Sequence, residues 1–341
     1  MPTVIDAEQT AAKAAGDRKP PFLPPDLADQ IELVKKCLYR EAQSISDKVA
    51  AVLRHQMEGG GKFIRPLLVL LSARMFSDDL APAVPVAAAA EMIHLATLAH
   101  DDVIDGSDMR RRQATINALW GNQAAILAGD ILLARALVIL SRSRRLDVVQ
   151  AMAAMLGQMC EGEIAQHLSL HCLEQSEKDY EARIERKTAC FFAACCRVGA
   201  LLSGAGDEDA EKMSRFGSLM GMAFQVADDI MDITSAHEEA GKPVRSDLAQ
   251  GILTLPVIYA LKQPEIGRRI RELLAGVHRE KDPAVINEVL ALVCANGALE
   301  YARSRAKGYV REAEKHLPAA GNAAAKEALR ALAGYAVNRV C

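Results

Sequence analysis

The sequence predicts an all-α protein. Half of its 341 residues are hydrophobic but only 4% are aromatic, a balance that favours packed helices over sheets, in which β-branched and aromatic residues are enriched. Apolar residues recur at helical spacing, as at Ile31, Val34 and Leu38. No segment shows the strict alternation of a half-buried strand, so we expect one helical domain.

The elements follow from breaks in this periodicity. Residues 1–25 are mostly polar or small and contain four closing prolines, which predicts a flexible arm, and residues 26–341 form the domain. The first helical period runs from Leu27 to Met57 and ends at the glycine run 59–61. Apolar periodicity then places helices at 66–77, 82–105, 119–141, 145–172, 176–204, 208–236, 255–262, 266–275, 283–297, 298–316 and 323–338.

Composition excludes several classes of protein. The net charge of −3 argues against a nucleic-acid-binding surface. The eight cysteines include no CxxC pair, which predicts buried reduced thiols rather than a disulfide framework or a zinc site. The N-terminus lacks a signal peptide pattern, and the apolar stretches 66–75 and 82–98 are too short or too interrupted to cross a bilayer. We therefore expect a cytoplasmic protein with no transmembrane segment.

Two acidic motifs, DDVID at 101–105 and DDIMD at 228–232, are the most informative feature. Helical spacing places Asp101 over Asp105 and Asp228 over Asp232, and stacked carboxylates repel unless a cation lies between them. Both motifs end apolar stretches, where unpaired charge is costly. Oxygen ligands without Cys or His favour Mg²⁺, which is commonly held by carboxylates plus substrate phosphates. A solvated helix end is the simpler alternative for either motif alone.

Basic residues follow each acidic motif. Arg110 and Arg111 come after the first, and Lys242 comes one loop after the second. Arg offers bidentate hydrogen bonds to phosphate, and Lys offers a compact charge. Lys187 and Thr188 interrupt an apolar helix, although a lysine reaching from a helix surface to solvent would explain Lys187 by itself.

A glycine run precedes another pair of cations. Gly59–Gly61 followed by Lys62 and Arg65 at a helix start is typical of a loop that binds an anion, although glycine runs alone are usually turns. His94 lies two turns before Asp101 on the same face of its helix. A histidine in an apolar helix is more often a core residue than a ligand.

In combination these motifs resemble those of the trans-type isoprenyl diphosphate synthases, the polyprenyl synthetases. The matching motifs are GGKFIRP (60–66), HDDVIDGSDMRR (100–111), GNQAAILAGD (121–130), EGEIAQ (161–166), KT (187–188), FQVADDIMD (224–232), GKPVRSDL (241–248) and TLP (254–256). The resemblance implies a helical bundle around a central cavity, usually a homodimer, that condenses an allylic diphosphate with isopentenyl diphosphate.

The resemblance also implies roles for individual residues. The implied ligands of three Mg²⁺ ions are Asp101, Asp105 and Asp228, supported by Asp102, Asp229 and Asp232. The implied partners of the allylic diphosphate are Arg110, Lys187 and Lys242. Those of isopentenyl diphosphate are Lys62, Arg65, His94 and Arg111, while Thr188 and Gln225 line the reacting carbons.

Four positions depart from the family pattern. Phe63 stands where a basic residue is usual, and Arg112 and Arg245 stand where glycine is usual. Ile252 stands where a lysine often contacts the leaving diphosphate, which predicts weaker pyrophosphate binding and modest turnover.

Side chains before the first motif predict the product length. In the family, aromatic residues four or five positions upstream of this motif shorten the product, whereas here Thr97 and Ala96 are small and Ile93 lies one turn further. This predicts a long-chain polyprenyl diphosphate, such as a quinone side-chain precursor, with peripheral membrane contact for its release. The helices at 119–141 or 145–172 are alternative floors of the product tunnel.

Other interpretations stay open. A shorter-chain synthase would share every motif and differ only in the small side chains before the first acidic motif. A non-catalytic subunit of a heteromeric synthase would not need intact acidic motifs. A terpene cyclase usually lacks a second DDxxD motif. A di-iron bundle would require two inward-facing Glu-x-x-His pairs, and only Glu91 and His94 form one.

Overall fold

Helices dominate the chain because its apolar residues keep helical spacing between glycine and proline breaks. The computed structural model describes residues 25–43, 46–111, 113–238, 247–275 and 282–338. It is 80% helical with almost no strand, which confirms the predicted all-α class. The predicted arm, apart from Pro25, lies outside the described residues, as do Arg112, Lys242 and Arg245.

The elements in chain order are α1 Pro25–Gln43, α2 Asp47–Glu58, α3 Ile64–Arg74, α4 Ala83–Ile104, β1 Met109–Arg110, β2 Gln113–Ala114, α5 Ile116–Trp120, α6 Asn122–Arg142, α7 Leu146–Leu168, α8 Glu177–Ile184, α9 Cys190–Leu202, α10 Asp207–Glu238, α11 Leu255–Leu261, α12 Pro264–Ala275, α13 Pro283–Ala295, α14 Ala298–Lys315 and α15 Ala323–Val337. A π-helical turn, Glu185–Ala189, joins α8 to α9, and a 3₁₀ turn, Asp247–Gln250, precedes α11.

Three features differ from the predicted elements. The single helix predicted from Leu27 to Met57 is two helices, α1 and α2. The helix predicted over 176–204 is interrupted by the π-helical turn, which periodicity alone does not reveal. The antiparallel hairpin β1–β2 was not predicted, because strands of two residues are too short to show alternation.

The chain forms two compact units. Unit 1 comprises residues 1–151, 195–210 and 320–329. Its core centres on α3, in which Pro66 to Ala73 are all buried, and on the alanine-rich α4. Ala87 to Ala90 are fully buried, and α4 packs against α1, α3 and α6. Such small side chains let neighbouring helices approach closely, which fixes the position of the first acidic motif at the end of α4.

Unit 2 comprises residues 152–194, 211–319 and 330–341. Its core joins α8, α10 and α11 to α13 and α14 through buried aliphatic residues such as Ile184, Val226, Val257 and Val289. Ser176 and Asp179 form a capping box that starts α8, each side chain accepting a hydrogen bond from the other's backbone N–H. This start sets the register of α8 and therefore of the π-helical turn that follows it.

Two helices within the described residues, α4 and α6, are long and apolar enough to cross a membrane, judged by length and composition alone. The pair α13 and α14, bent by 65°, would add a third if it formed one span. Within the most apolar window of each helix, 72% of α4 is buried inside the protein, against 39% of α6. The sequence reasoning above did not consider residues 122–142 as a candidate span.

Candidate functional site

The first acidic motif occupies the last turn of α4. Asp105 is the C-cap, and this last turn contains no basic residue. Carboxylates are unfavourable there because the C-terminal end of a helix carries a partial negative charge. Asp101 is partly exposed and Asp105 is exposed. An arrangement that costs free energy in the protein alone favours the binding of a cation.

The middle residue of this motif faces the protein instead of solvent. Asp102 is only 2% exposed, and its Oδ1 accepts a hydrogen bond from Arg110 Nε at 2.8 Å. Burial raises the pKa of Asp102, while the Arg110 charge opposes that rise. Thr115 Oγ1 and Asn117 Nδ2 donate to the Ser107 carbonyl at 2.8 and 3.0 Å, which closes the loop after the motif. Arg110, predicted to bind a diphosphate, is thus paired with Asp102.

The hairpin β1–β2 closes over the glycine loop at 59–61. Arg111 Nη1 donates to the Gly60 carbonyl, and His55 Nε2 lies 2.7 Å from the Ala114 carbonyl oxygen. Phe63 and Arg111 both adopt positive φ, at 49° and 52°, a region that non-glycine residues seldom occupy. Such backbone strain often accompanies functional sites.

A small open cleft lies between these segments of unit 1. Its wall combines the apolar Leu95 and Leu98 of α4 with the charged Asp102, Arg110 and Arg111. The other lining residues are His55, Gln56, Gly59, Gly60, Gln113, Ala114 and Thr115. Sequence reasoning missed His55, Gln56 and Gln113, because their place in the cleft depends on the hairpin.

A buried glutamate, Glu91, lies near the predicted isopentenyl diphosphate residues Arg65, His94 and Arg111. Glu91 is 5% exposed, and burial raises its pKa to about 7 despite the opposing charges of Arg65 and Arg111. The pKa of His94 is well below its usual value, first because of desolvation and then because of Arg65 and Arg111. His94 is therefore neutral at pH 7, and it can accept a hydrogen bond at one ring nitrogen and donate at the other. Lys62 is exposed.

The three residues predicted to set product length differ in accessibility. Ile93 and Ala96 are fully buried. Thr97 keeps accessible surface, and its hydroxyl donates to the His94 carbonyl at 2.9 Å. In this conformation Thr97 is therefore the residue of the three with surface available to a substrate.

The second acidic motif lies inside α10, in unit 2, and meets a further acid. The backbone N–H of Asp247 donates to Asp232 Oδ2 at 3.0 Å. Burial and then the charge of Asp247 raise the pKa of Asp232 to about 7 and that of Asp229 to about 8. Asp228 and Asp232 are partly exposed. Asp247 was not among the predicted site residues, although it lies in the matched GKPVRSDL motif.

The middle residue of the second motif also faces the protein. Asp229 is 3% exposed and accepts hydrogen bonds from Tyr180 Oη at 2.6 Å and Gln225 Nε2 at 2.9 Å. Gln225 Oε1 in turn accepts from Thr188 Oγ1 at 2.7 Å. The structure thus joins Thr188 and Gln225, two predicted site residues, and adds Tyr180, which sequence reasoning missed.

The π-helical turn positions the predicted KT pair. Lys187 Nζ lies 2.8 Å from Glu163 Oε2, and Thr188 is buried. A Cβ added at Gly162 would lie 2.9 Å from both the Arg186 Cβ and the Lys187 backbone nitrogen, so glycine is required for α7 to approach the turn. Turns of this kind are frequent at functional sites.

The donor chemistry of both motifs fits a hard divalent cation. The available ligands are carboxylate oxygens, and a bound cation would relieve the crowding of Asp229 and Asp232 of α10 with Asp247. Among the described residues, no three His, Cys, Asp or Glu side chains surround a common metal position. Mg²⁺ is usually held by one or two carboxylates, with water and substrate phosphate completing the shell.

Comparison with known proteins identifies the family of the chain. The family model for polyprenyl synthetases matches residues 46–293. The chain belongs to the polyprenyl synthetase family. It is an enzyme of the prenyltransferase type, and enzymes of this family depend on a divalent metal ion.

Individual relatives cover nearly the whole chain. The heptaprenyl diphosphate synthase component 2 of Geobacillus stearothermophilus is 38% identical over 91% of this chain and 95% of its own. A decaprenyl diphosphate synthase from Rhodobacter capsulatus has a TM-score of 0.85 at 32% identity, covering 93% and 98% of the two chains. A polyprenyl synthase from Caulobacter crescentus, complexed with calcium and isoprenyl diphosphate, has a TM-score of 0.84 at 32% identity, covering 92% and 96%.

The Gly162 contact leads to a prediction about Lys187. Replacing Gly162 with Ala forces α7 and the π-helical turn apart and displaces Lys187, so we expect kcat for prenyl transfer to fall by about 10- to 100-fold. Steady-state kinetics with diphosphate release as the readout measures this. The matched control is Gly157→Ala on the same helix, where an added Cβ meets nothing within 4 Å and kcat should stay within about twofold of wild type. Equal rates for the two variants would contradict the role given to this contact.

Proposed function

We propose that this enzyme makes a long-chain all-trans polyprenyl diphosphate by adding isopentenyl diphosphate head-to-tail to an allylic diphosphate. The allylic primer is geranyl, farnesyl or geranylgeranyl diphosphate, and the product supplies quinone side chains. The observation that carries the proposal is the repeated acidic motif, in which one buried aspartate bonds to the protein and its neighbours remain accessible. A protein that only binds a ligand would not need two motifs in which the burial of a carboxylate costs free energy.

The reaction requires charge stabilisation and exclusion of water more than a protein nucleophile. The allylic C–O bond breaks and its electron pair leaves with the diphosphate. The double bond of isopentenyl diphosphate then forms the new C–C bond, and a proton is lost to the departing diphosphate. Arg110, Lys187 and Lys242 stabilise the negative charge as it develops, while Lys62, Arg65, His94 and Arg111 hold the second diphosphate. Gln225 and Thr188 face the reacting carbons.

Three Mg²⁺ ions complete the proposed site. We assign their binding to Asp101, Asp105 and Asp228, with Asp102, Asp229 and Asp232 in support. When bound, the metal neutralises the diphosphate and so makes it a better leaving group. The raised pKa values of Asp229 and Asp232 support the assignment, because no positive charge within the described part of the chain fully offsets the burial of either carboxyl.

Substitution of the accessible aspartates tests the metal assignment. Asp101→Asn and Asp228→Asn each remove a negative charge at nearly constant shape, so we expect kcat to fall by at least about 10²-fold. Calorimetry should also show weaker Mg²⁺-dependent binding of inorganic pyrophosphate. Asp78→Asn is the control, because the Asp78 side chain is 89% exposed and lies outside both motifs. Wild-type pyrophosphate affinity in Asp101→Asn and Asp228→Asn would disprove the assignment.

The small residues at the end of α4 support the long-chain product. Thr97 keeps accessible surface, whereas Ala96 and Ile93 are already enclosed by protein. The two relatives described above whose names give a long product, heptaprenyl and decaprenyl diphosphate synthases, point in the same direction. A farnesyl or geranylgeranyl diphosphate synthase is the alternative.

Measuring the chain length of the product after enlarging the side chain at position 97 tests this alternative. With farnesyl and isopentenyl diphosphates, wild type should form products longer than geranylgeranyl diphosphate, and Thr97→Phe should shorten them because the ring fills space required by chain methylenes. Thr97→Val is the control that removes the hydroxyl at similar volume, and its products should match wild type. A wild-type product no longer than geranylgeranyl diphosphate would disprove the long-chain proposal.

We also propose a homodimer formed by an exposed face of α6. Ile126, Leu127, Leu137 and Val138 are between 40% and 61% exposed and lie on one side of the helix. The exposed positions are arranged symmetrically about position 132. A two-fold axis at that position therefore places the exposed residues of one copy opposite exposed residues of the other copy. The pairs are Gln123 with Ser141, Ile126 with Val138, Leu127 with Leu137, and Asp130 with the small Ala134. A self-complementary face is what an isologous dimer requires.

Solution mass tests the dimer. Wild type should have the mass of two chains by light scattering, and Leu137→Arg should have the mass of one, because the apolar face would bury an unpaired charge. Leu146→Arg is the control, because Leu146 is 69% exposed but lies outside α6. A monomeric wild type would overturn the proposal.

Recovery of the enzyme without detergent would support a cytoplasmic protein without a transmembrane segment, in peripheral contact with the membrane only to release its product.

A heteromeric synthase is a second candidate, because one relative is named component 2 of its enzyme. In that case the chain expressed alone would be inactive and would recover activity with a partner protein. Full activity of the purified chain would exclude it.

A further inference from the structure

A buried tyrosine holds the second acidic motif in place. Tyr180 is 1% exposed, and its hydroxyl donates to Asp229 Oδ2 at 2.6 Å. The other carboxylate oxygen, Oδ1, accepts from Gln225 Nε2 at 2.9 Å, and Gln225 Oε1 accepts from Thr188 Oγ1 at 2.7 Å. Four side chains from α8, α10 and the π-helical turn therefore form one hydrogen-bonded chain within unit 2.

This chain fixes the orientation of two polar groups. The Gln225 amide presents its NH₂ group to Asp229 and its oxygen to Thr188, an orientation that an ionised Asp229 enforces because a carboxylate only accepts hydrogen bonds. The Thr188 proton is then committed to Gln225, which determines where the lone pairs of its hydroxyl point. Without the Tyr180 hydroxyl, Oδ2 would lose a donor in a buried setting, and the carboxylate and the amide could both reorient.

A neighbouring face of α8 has its own hydrogen-bond and ion-pair partners. Tyr309 Oη and Tyr301 Oη of α14 donate to Glu181 and Glu177 of α8, each at 2.6 Å, and Arg305 pairs with both glutamates. The helix that carries Tyr180 is thus held by ion pairs that do not include the acidic motif. Tyr309 provides a comparison for Tyr180, because both hydroxyls donate to a carboxylate and both hydrogen bonds involve α8.

We propose that Tyr180 is a positioning residue that aligns Gln225 and Thr188 for prenyl transfer through the Asp229 carboxylate. The inference rests on the proposed function, because it assigns Gln225 and Thr188 to the reacting carbons. Tyr180 does not touch the substrate. Its hydroxyl affects the rate of the chemical step more than the binding of either diphosphate.

Kinetics of Tyr180→Phe tests the proposal. We expect kcat to fall by roughly 10- to 100-fold while KM for each substrate changes by less than about threefold, the pattern of a lost transition-state interaction. Tyr309→Phe removes the same group from a hydrogen bond to Glu181 that does not include Asp229, and it should leave kcat within about twofold of wild type. Circular dichroism and the thermal midpoint establish that both variants are folded.

A double-mutant cycle with Thr188→Val separates positioning from a general loss of structure. If Tyr180 acts through the chain, the double variant Tyr180→Phe/Thr188→Val should be about as slow as Thr188→Val alone. Independent, multiplicative effects would overturn the proposal, and so would a kcat for Tyr180→Phe within twofold of wild type. If wild type forms no prenyl product, the proposed function fails. If wild type is active and Tyr180→Phe is equally active, this inference alone fails.

A second variant covers the case in which Tyr180→Phe does not fold. Incorporation of 3-fluorotyrosine at position 180 keeps the ring and the hydroxyl but makes the hydroxyl a stronger donor. We expect an altered kcat at an unchanged thermal midpoint. An unchanged kcat would overturn the proposal.

Discussion

The cost of burying a carboxylate without a partner governs the construction of both acidic motifs. In each motif the second aspartate is nearly inaccessible, at 2% for Asp102 and 3% for Asp229, and each accepts a short hydrogen bond from a protein donor. Arg110 serves Asp102, whereas Tyr180 and Gln225 serve Asp229. The other aspartates keep accessible surface. Each motif thus combines one aspartate that fixes its geometry with others that can meet a ligand.

The two motifs concentrate negative charge by different means. The first lies in the final turn of α4, where the helix end already carries partial negative charge. The second lies inside α10, where Asp247 adds a fourth acid from a separate turn, and burial followed by the charge of Asp247 raises the pKa of Asp229 and Asp232. Burial and crowding of carboxylates are unfavourable in both cases. A divalent cation bound as proposed would relieve that cost and so gain favourable free energy beyond its direct contacts.

Local patterns in the sequence were sufficient for the all-α class and most helix positions, because 3.6-residue periodicity and glycine breaks are local properties. The hydrogen-bond partners were not predictable in the same way. Tyr180 lies 49 residues from Asp229, and Asp247 lies 15 residues from Asp232, so each contact depends on how helices pack. The hairpin at 109–114 was missed because it is too short to show a pattern. The interruption at Lys187 and Thr188 was visible in the sequence, but its π-helical geometry was not.

Two of the basic residues predicted to bind a diphosphate already form ion pairs with acidic residues. Arg110 is paired with Asp102 and Lys187 with Glu163, each at 2.8 Å. A diphosphate that binds there competes with these carboxylates, so binding exchanges ion pairs and gains less free energy than a contact with an unpaired cation would. In return, the cations are held in a fixed position before the substrate arrives. Groups that need no reorganisation stabilise a developing charge most effectively. In the proposed site, the paired carboxylates would therefore favour the ionisation step over tight binding of the substrate in its ground state.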